Sequence, residues 1–100
     1  MKSFKILLEP ESIEDIQDAI AWYNKQKKGL GSDFYTVLKE EIERLRLNPF
    51  FQLRYNNVRC LPLRKYPFMI HFTIDEDQKI VIIRAVFNTS IDPRKWKGRE

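Results

Sequence analysis

Few side chains of this sequence could carry acid–base or metal chemistry. Among its 100 residues, His71 is the only histidine and Cys60 is the only cysteine. Histidine is the side chain that titrates near neutral pH, so proton transfer would depend on His71. A single cysteine forms no internal disulfide, and one Cys with one His falls short of the ligand sets that hold zinc. We therefore expect no metal and no cofactor.

The basic residues are concentrated in the second half of the chain. Residues 1–50 carry 8 Lys/Arg and 9 Asp/Glu, whereas residues 51–100 carry 10 and 5. A basic half favours an acidic or polyanionic partner, such as nucleic acid, a ribosome or an acidic protein segment. The alternative is that this charge only keeps a small protein soluble.

The composition indicates one domain spanning residues 1–100. Hydrophobic residues make up 43% of the chain, enough to bury a core, and charged residues make up 32%. No apolar run approaches the roughly 18 residues of a membrane span. The apolar stretch that follows the basic N-terminus is too short for a signal peptide. We expect a cytoplasmic protein with no membrane segment.

Two helices are predicted in the first half, after a short strand at residues 4–8. The first begins at Pro10, and its apolar residues recur at helical spacing: Ile13, Ile16, Ala19, Ile20 and Tyr23. Ser32 is predicted to cap the second helix, which Asn48 and Pro49 end. Its buried face would consist of Phe34, Val37, Leu38, Ile42 and Leu45. Because only a few residues join them, the two helices form an antiparallel hairpin.

The second half shows the two-residue period of strands, predicted at 58–64, 68–74 and 79–88. The fold class is therefore α+β with the order β-α-α-β-β-β, a helical hairpin packed on one face of a mainly antiparallel sheet. Strict alternation in the last strand turns one set towards the helices, Val81, Ile83, Ala85 and Phe87, and the other set away, Ile82, Arg84, Val86 and Asn88. We expect the face turned away from the helices to be open to solvent or a partner and to gather positive charge.

Three stretches resemble the RelE/ParE superfamily of bacterial toxins, and together they run over nearly the whole chain. The first comprises SIEDI, AWY and GLGSDF within residues 12–34, which resemble the family's helical hairpin with its glycine link. The second is YPFMIHF at 66–72, which is similar to the family's strand FPY-x-I-x-Y. The third is AVFNTSIDPRKW at 85–96, which resembles A-V-x-H-x-x-R-D-P-x-x-W of ParE-like plasmid-stabilisation proteins.

The resemblance implies a cytoplasmic bacterial toxin of a type II toxin–antitoxin system. Such a toxin is held inactive in a hetero-oligomer by an antitoxin encoded beside it. The family's antitoxins wrap an acidic, partly disordered C-terminal segment around the toxin, which fits the basic half of this chain. ParE-like members are associated with poisoning DNA gyrase, and RelE-like members with cutting messenger RNA on the ribosome.

Two positions depart from the family's pattern. Asn88 stands where the family has histidine, and Ile91 stands where it has arginine. RelE-type nucleases use clustered Lys/Arg, with a tyrosine or histidine near the C-terminus, to cut RNA through 2′-hydroxyl attack. That reaction needs a base, cations for the developing charge and a donor for the leaving oxygen. Residues 88–91 supply no cation and no titrating base, and no tyrosine follows Tyr66, so the ParE-like interpretation is favoured.

We therefore predict a ParE-like toxin that acts on DNA gyrase by binding. One alternative is a RelE-like, ribosome-dependent endoribonuclease with the catalytic residues Arg64, His71 and Arg84. Another is a decayed toxin retained for antitoxin binding and autoregulation. The residues predicted to contact a partner are Trp22, Arg59, Arg64, Arg84, Asn88 and Trp96.

Four of the candidate catalytic or partner-binding residues also have a purely structural interpretation. Arg84 would form a salt bridge with an acid such as Asp92, and His71 would be a packing residue. Trp22 lies beside the buried stripe of the first helix and would widen it. Trp96 would fold back over a sheet edge or a helix end.

Overall fold

Two helices and five strands make up the part of the chain that the computed structural model describes, residues 3–51, 53–90 and 94. In chain order the elements are β1 (Lys5–Leu8), α1 (Pro10–Gln26), α2 (Leu30–Leu47), β2 (Leu53–Tyr55), β3 (Val58–Pro62), β4 (Phe68–Asp75) and β5 (Ile80–Asn88). The predicted fold class is confirmed with one correction, because the structure has one strand more than predicted. The missed strand, β2, has only three residues, too few to show a period.

The two helices form the predicted hairpin, but the second begins earlier than expected. Gly29 has φ +88° and is the N-cap of α2, so the predicted cap Ser32 lies inside the helix. A left-handed backbone suits glycine, and it reverses the chain within three residues. At Gly31 the helices approach closely, and its backbone N–H donates to Asn24 Oδ1 at 2.8 Å.

The sheet has the strand order β1-β5-β4-β3-β2. β1 pairs with β5 in parallel, and the other three pairings are antiparallel. The hairpin packs on one face of this sheet, around a core that includes Phe34, Leu38, Ile70, Phe72, Val81 and Ile83. The predicted helix stripes are buried at Ile16, Ala19, Tyr23, Phe34, Val37, Leu38 and Leu45. Ile13, which the periodicity placed in the stripe, is exposed. None of the described helices is long and apolar enough to cross a membrane.

A register shift between β4 and β5 corrects the predicted faces of the last strand. His71 is opposite Ala85 and Phe72 is opposite Ile83, so Arg84 is an extra residue on β5. A bulge of this kind moves every later side chain to the other face. Val86 therefore belongs to the core beneath the helices, and Asn88 lies opposite Phe68.

The face of the sheet that the helices leave uncovered is buried at its centre, contrary to expectation. Its buried residues include Cys60, His71, Thr73, Ala85 and Phe87. Aromatic packing supplies part of this burial, because the His71 ring lies 5.1 Å from the Phe87 ring and 5.9 Å from the Tyr55 ring, centroid to centroid. None of these buried residues is a lysine or arginine, but Arg84 donates to Thr73 Oγ1 at this face.

Candidate partner-binding site

Arg64 lies just after β3 and is held by the second helix. Its Nε donates to Glu41 Oε1 at 2.9 Å, and its Nη2 donates to Glu40 Oε1 at 3.0 Å. The Glu41 side chain is fully buried and accepts a second bond from Arg44 Nη1 at 2.7 Å. The hydrogen bond to Glu41 raises the pKa of the Arg64 guanidinium. A buried carboxylate requires such partners, so Arg64 serves the packing of α2 against this connection.

Arg84, the extra residue of the β5 bulge, links the sheet to the start of the first helix. Its Nη1 donates to Glu9 Oε1 at 2.6 Å, and its Nε donates to Thr73 Oγ1 at 3.1 Å. Among the described residues, the acid at ion-pair distance from Arg84 is Glu9, the N-cap residue of α1. The acid suggested from the sequence, Asp92, lies outside the described residues, as does Trp96.

His71 lies within the buried face and has no exposed surface. Its Nδ1 lies 3.1 Å from Tyr55 Oη and 3.5 Å from Cys60 Sγ. Burial raises the pKa of the Cys60 thiol to about 11, which keeps it protonated at neutral pH. These contacts are those of a packed side chain, and a substrate in solution has no direct approach to the imidazole.

Trp22 and Asn88, far apart in the sequence, line one groove between α1 and the end of the sheet. We call it the α1–β5 groove; it encloses about 500 Å³ and is lined by Asp15, Asp18, Ala19, Trp22, Phe68, Val86, Phe87 and Asn88. Trp22 is 57% exposed, which leaves much of the indole free to contact a partner. Two of the six predicted contact residues thus lie at one site.

The bulge and one aspartate build this groove. The bulge turns Asn88 and Val86 towards the helix, and the Asp15 carboxylate accepts a hydrogen bond from the Val86 backbone N–H at 3.1 Å. Asn88 Oδ1 accepts from the Ser90 backbone N–H at 2.9 Å, which forms a turn at the end of β5. Sequence reasoning missed Asp15, Asp18, Phe68 and Val86 as lining residues. The spacing of Asp15, Asp18 and Trp22 at i, i+3 and i+7, on one helix face, was the signal available.

Arg59 lies elsewhere, near the end of α2. Its Nη1 donates to the Phe51 carbonyl at 2.5 Å, and its Cζ lies 5.7 Å from the Phe50 ring centroid. The hydrogen bonds given above for Arg59, Arg64 and Arg84 lead to different described residues, so each arginine is held in a different part of the fold. Among the described residues, no group of three or more His, Cys, Asp or Glu is placed to hold a metal ion.

A second cluster that the sequence did not reveal joins the β3–β4 connection to the start of α2. The Tyr66 hydroxyl and Lys65 Nζ both donate to Asp33 Oδ2, the lysine at 2.6 Å. The hydrogen bonds from Lys65 and Tyr66 lower the pKa of Asp33. Burial, followed by the bond to Asp33, raises the pKa of Tyr66 to about 12. The cluster fixes the loop at Lys65, whose φ is +73°.

Comparison with solved structures identifies the fold. A chain of the chromosomal ParDE toxin–antitoxin system of Pseudomonas aeruginosa aligns with a TM-score of 0.76 and 14% identity, over 86% of this chain and 96% of that one. The toxin–antitoxin complex RelBE2 of Mycobacterium tuberculosis gives 0.63 and 14%, over 88% and 93%. A mutant of the Escherichia coli toxin RelE in the free state gives 0.52 and 10%, over 88% and 85%.

This chain therefore has the RelE/ParE toxin fold, as the resemblance predicted. At 10–14% identity the likeness is one of fold. No family model matches the sequence, and no curated protein matches it.

Proposed function

We propose that this chain is the toxin of a bacterial type II toxin–antitoxin pair, ParE-like in its action, with DNA gyrase as its target. In this proposal it acts in the cytoplasm by binding, and a cognate antitoxin neutralises it in a hetero-oligomer. The fold supports the proposal, because the likeness to the ParDE chain extends over 86% of this chain.

The observation that carries the proposal is that the three candidate catalytic side chains are already engaged within the fold. His71 is buried, Arg64 is bonded to Glu40 and Glu41, and Arg84 is bonded to Glu9 and Thr73. RNA cleavage needs an accessible base and free cations around the reacting phosphate. Their engagement favours action by binding over the endoribonuclease alternative.

The α1–β5 groove is the surface that best fits an apolar anchor of the antitoxin. Exposed tryptophan above an apolar floor is typical of an interface hot spot. Its apolar lining includes the buried Ala19 and Val86 and the half-buried Phe68, and Asp15 and Asp18 line it as well. Because those carboxylates repel acidic side chains, the residue bound there is apolar or basic.

Induced expression in a bacterium tests the proposal. Growth arrest with filamentation and DNA-damage signalling is the expected result, and co-expression of the protein encoded by the adjacent gene should restore growth. The purified chain should inhibit supercoiling of relaxed plasmid by gyrase. Rapid translation arrest with cleaved messages would replace this proposal with the endoribonuclease, and normal growth would replace it with the decayed toxin.

A further inference from the structure

Three exposed apolar side chains cluster at the end of the sheet opposite the α1–β5 groove. Leu47 ends α2, Phe50 lies in the following connection, and Leu53 begins β2. They are 49%, 52% and 49% exposed, respectively. With Arg59 and Lys79 they form what we call the basic–apolar corner.

Contacts between neighbouring elements make this corner one continuous surface. The Phe50 ring lies 5.8 Å from the Phe4 ring in a T-shaped arrangement. Lys79 Nζ lies 5.3 Å from the Phe4 centroid, on the side of the β4–β5 turn. Arg59, whose guanidinium lies over Phe50, is opposite Leu53 in the β2–β3 pairing. The Phe4 backbone N–H donates to the Arg46 carbonyl at 2.8 Å, which holds the corner against the end of α2.

The two cations of the corner differ from the other cations described above. Within residues 3–51, 53–90 and 94, neither Arg59 nor Lys79 has a carboxylate at ion-pair distance. Salt bridges instead engage the cations Arg44, Arg46, Arg64, Lys65 and Arg84. The acids of the β4–β5 turn, residues 75–77, line a hollow together with Thr73 and Arg84. The corner therefore combines exposed apolar surface with two cations that form no ion pair with a described carboxylate.

We propose that the basic–apolar corner binds an acidic amphipathic segment of the antitoxin, with its apolar residues on Leu47, Phe50 and Leu53 and its carboxylates at Arg59 and Lys79. The identity of the partner rests on the proposed function. Charge complementarity selects this corner, because Asp15 and Asp18, which line the α1–β5 groove, repel acidic side chains. Exposed apolar patches with a polar rim commonly mark protein interfaces.

Charge reversal tests the electrostatic part of the proposal. The probe is the full-length protein encoded by the adjacent gene, with its affinity for the full chain measured by calorimetry at two salt concentrations. The double variant Arg59→Glu/Lys79→Glu should bind at least about 30-fold more weakly and lose most of its salt dependence. The control Lys25→Glu/Lys39→Glu makes the same change in net charge on the exposed helices and should change affinity by less than about threefold. Equal losses in the two double variants would overturn the corner assignment.

Folding of each variant is checked by its thermal midpoint. Lys79 is exposed, so Lys79→Glu alone should keep the fold even if the double variant does not. It should weaken binding by about fivefold, and unchanged affinity would overturn the proposal.

A matched pair of apolar substitutions tests the other half. Leu53→Ser should weaken binding by about tenfold, whereas Leu7→Ser, at a similarly exposed leucine on β1, should leave it unchanged. If the purified chain self-associates and Leu53→Ser abolishes that, the corner is an interface between copies and the proposal is overturned. If the wild type binds and every corner variant binds with the same affinity, the assignment of the binding site to the corner is overturned. The toxin–antitoxin proposal would still stand in that case. Absence of any binding by the wild type would overturn both.

Discussion

Glu41 Oε1 accepts a hydrogen bond from Arg64 Nε at 2.9 Å, and the glutamate that does so is fully buried while the arginine is largely exposed. Arg64→Ala should therefore leave a buried carboxylate with only Arg44 as its partner. A buried carboxylate that lacks a hydrogen-bond partner lowers the stability of the fold far more than the loss of a surface ion pair does. We expect the thermal midpoint to fall by about 5 °C or more, as measured by circular dichroism.

Arg46→Ala is the control for this prediction. Arg46 pairs with Glu43 at 2.6 Å within α2, and neither side chain of this pair is buried. The thermal midpoint of Arg46→Ala should lie no more than about two degrees below that of the wild type, since surface ion pairs contribute little to stability. Equal midpoints for the two variants would show that Glu41 does not depend on Arg64.

Gly31→Ala should destabilise the helical hairpin. A Cβ on Gly31 would lie 2.4 Å from the Ile20 carbonyl oxygen and 2.7 Å from Asn24 Oδ1. Because the first of these atoms is backbone, the helices must separate, which should cost about 1–3 kcal/mol in the free energy of unfolding. Urea denaturation measures the loss. Gly29→Asn is the control, since the left-handed backbone at Gly29 has open space around it and asparagine tolerates that conformation; a larger loss there than at Gly31 would contradict the packing argument.

Stability should fall in acid through Asp33. Its hydrogen bonds from Lys65 and Tyr66 hold its pKa in the folded state below its usual value. The stabilisation is fully present above the unfolded-state pKa of about 3.9 and is lost as the pH falls through the lower folded-state value. Asp33→Asn should therefore be less stable than the wild type at pH 7, and this deficit should shrink on acidification below about pH 4. Urea midpoints between pH 2.5 and 7 measure it, and a constant difference across that range would refute the assignment.

Much of the architecture was predictable because its helical and strand periodicities repeat over many residues. α1 and α2 extend for 17 and 18 residues, and β4 alternates over its whole length. The three-residue β2 was missed for the opposite reason. The bulge at Arg84 was missed because residues 80–83 and 85–87 are apolar on both faces, so a shift of one residue leaves the pattern unchanged.

The candidate site was predictable only in its residue types. Trp22 and Asn88 were predicted as partner contacts, but their meeting in one groove depends on the bulge, which strict alternation cannot show. The pairing of Glu41 with Arg64 crosses 23 residues and leaves no spacing signal. A signal for the burial of Glu41 did exist, since it lies between Leu38 and Leu45 on the buried stripe of α2 and must therefore find a cationic partner.

His71→Gln should separate a packing role from a catalytic one. The imidazole is buried and lies 3.1 Å from Tyr55 Oη, so the substitution should lower the free energy of unfolding by about 1–3 kcal/mol. Growth arrest per unit of folded protein should remain unchanged, because His71 has no exposed surface. Induction at matched soluble levels, with quantified growth rates, measures this. Cys60→Ala perturbs the same cluster and should likewise lower stability while leaving growth arrest unchanged. Loss of growth arrest in the His71 variant alone would favour catalysis by the histidine.

Trp22→Ala should weaken neutralisation by the antitoxin without unfolding the chain. The indole is more than half exposed and lies on the α1–β5 groove, where an apolar anchor would bury it. Buried tryptophans at interfaces commonly contribute about 2 kcal/mol or more, so affinity for the protein encoded by the adjacent gene should fall by about 30-fold. Tyr35→Ala is the matched control, because Tyr35 is an exposed aromatic residue on α2 that does not line the groove, and its affinity should stay within about threefold of the wild type. Equal affinities for the two variants, measured by calorimetry, would place the antitoxin's anchor outside the groove.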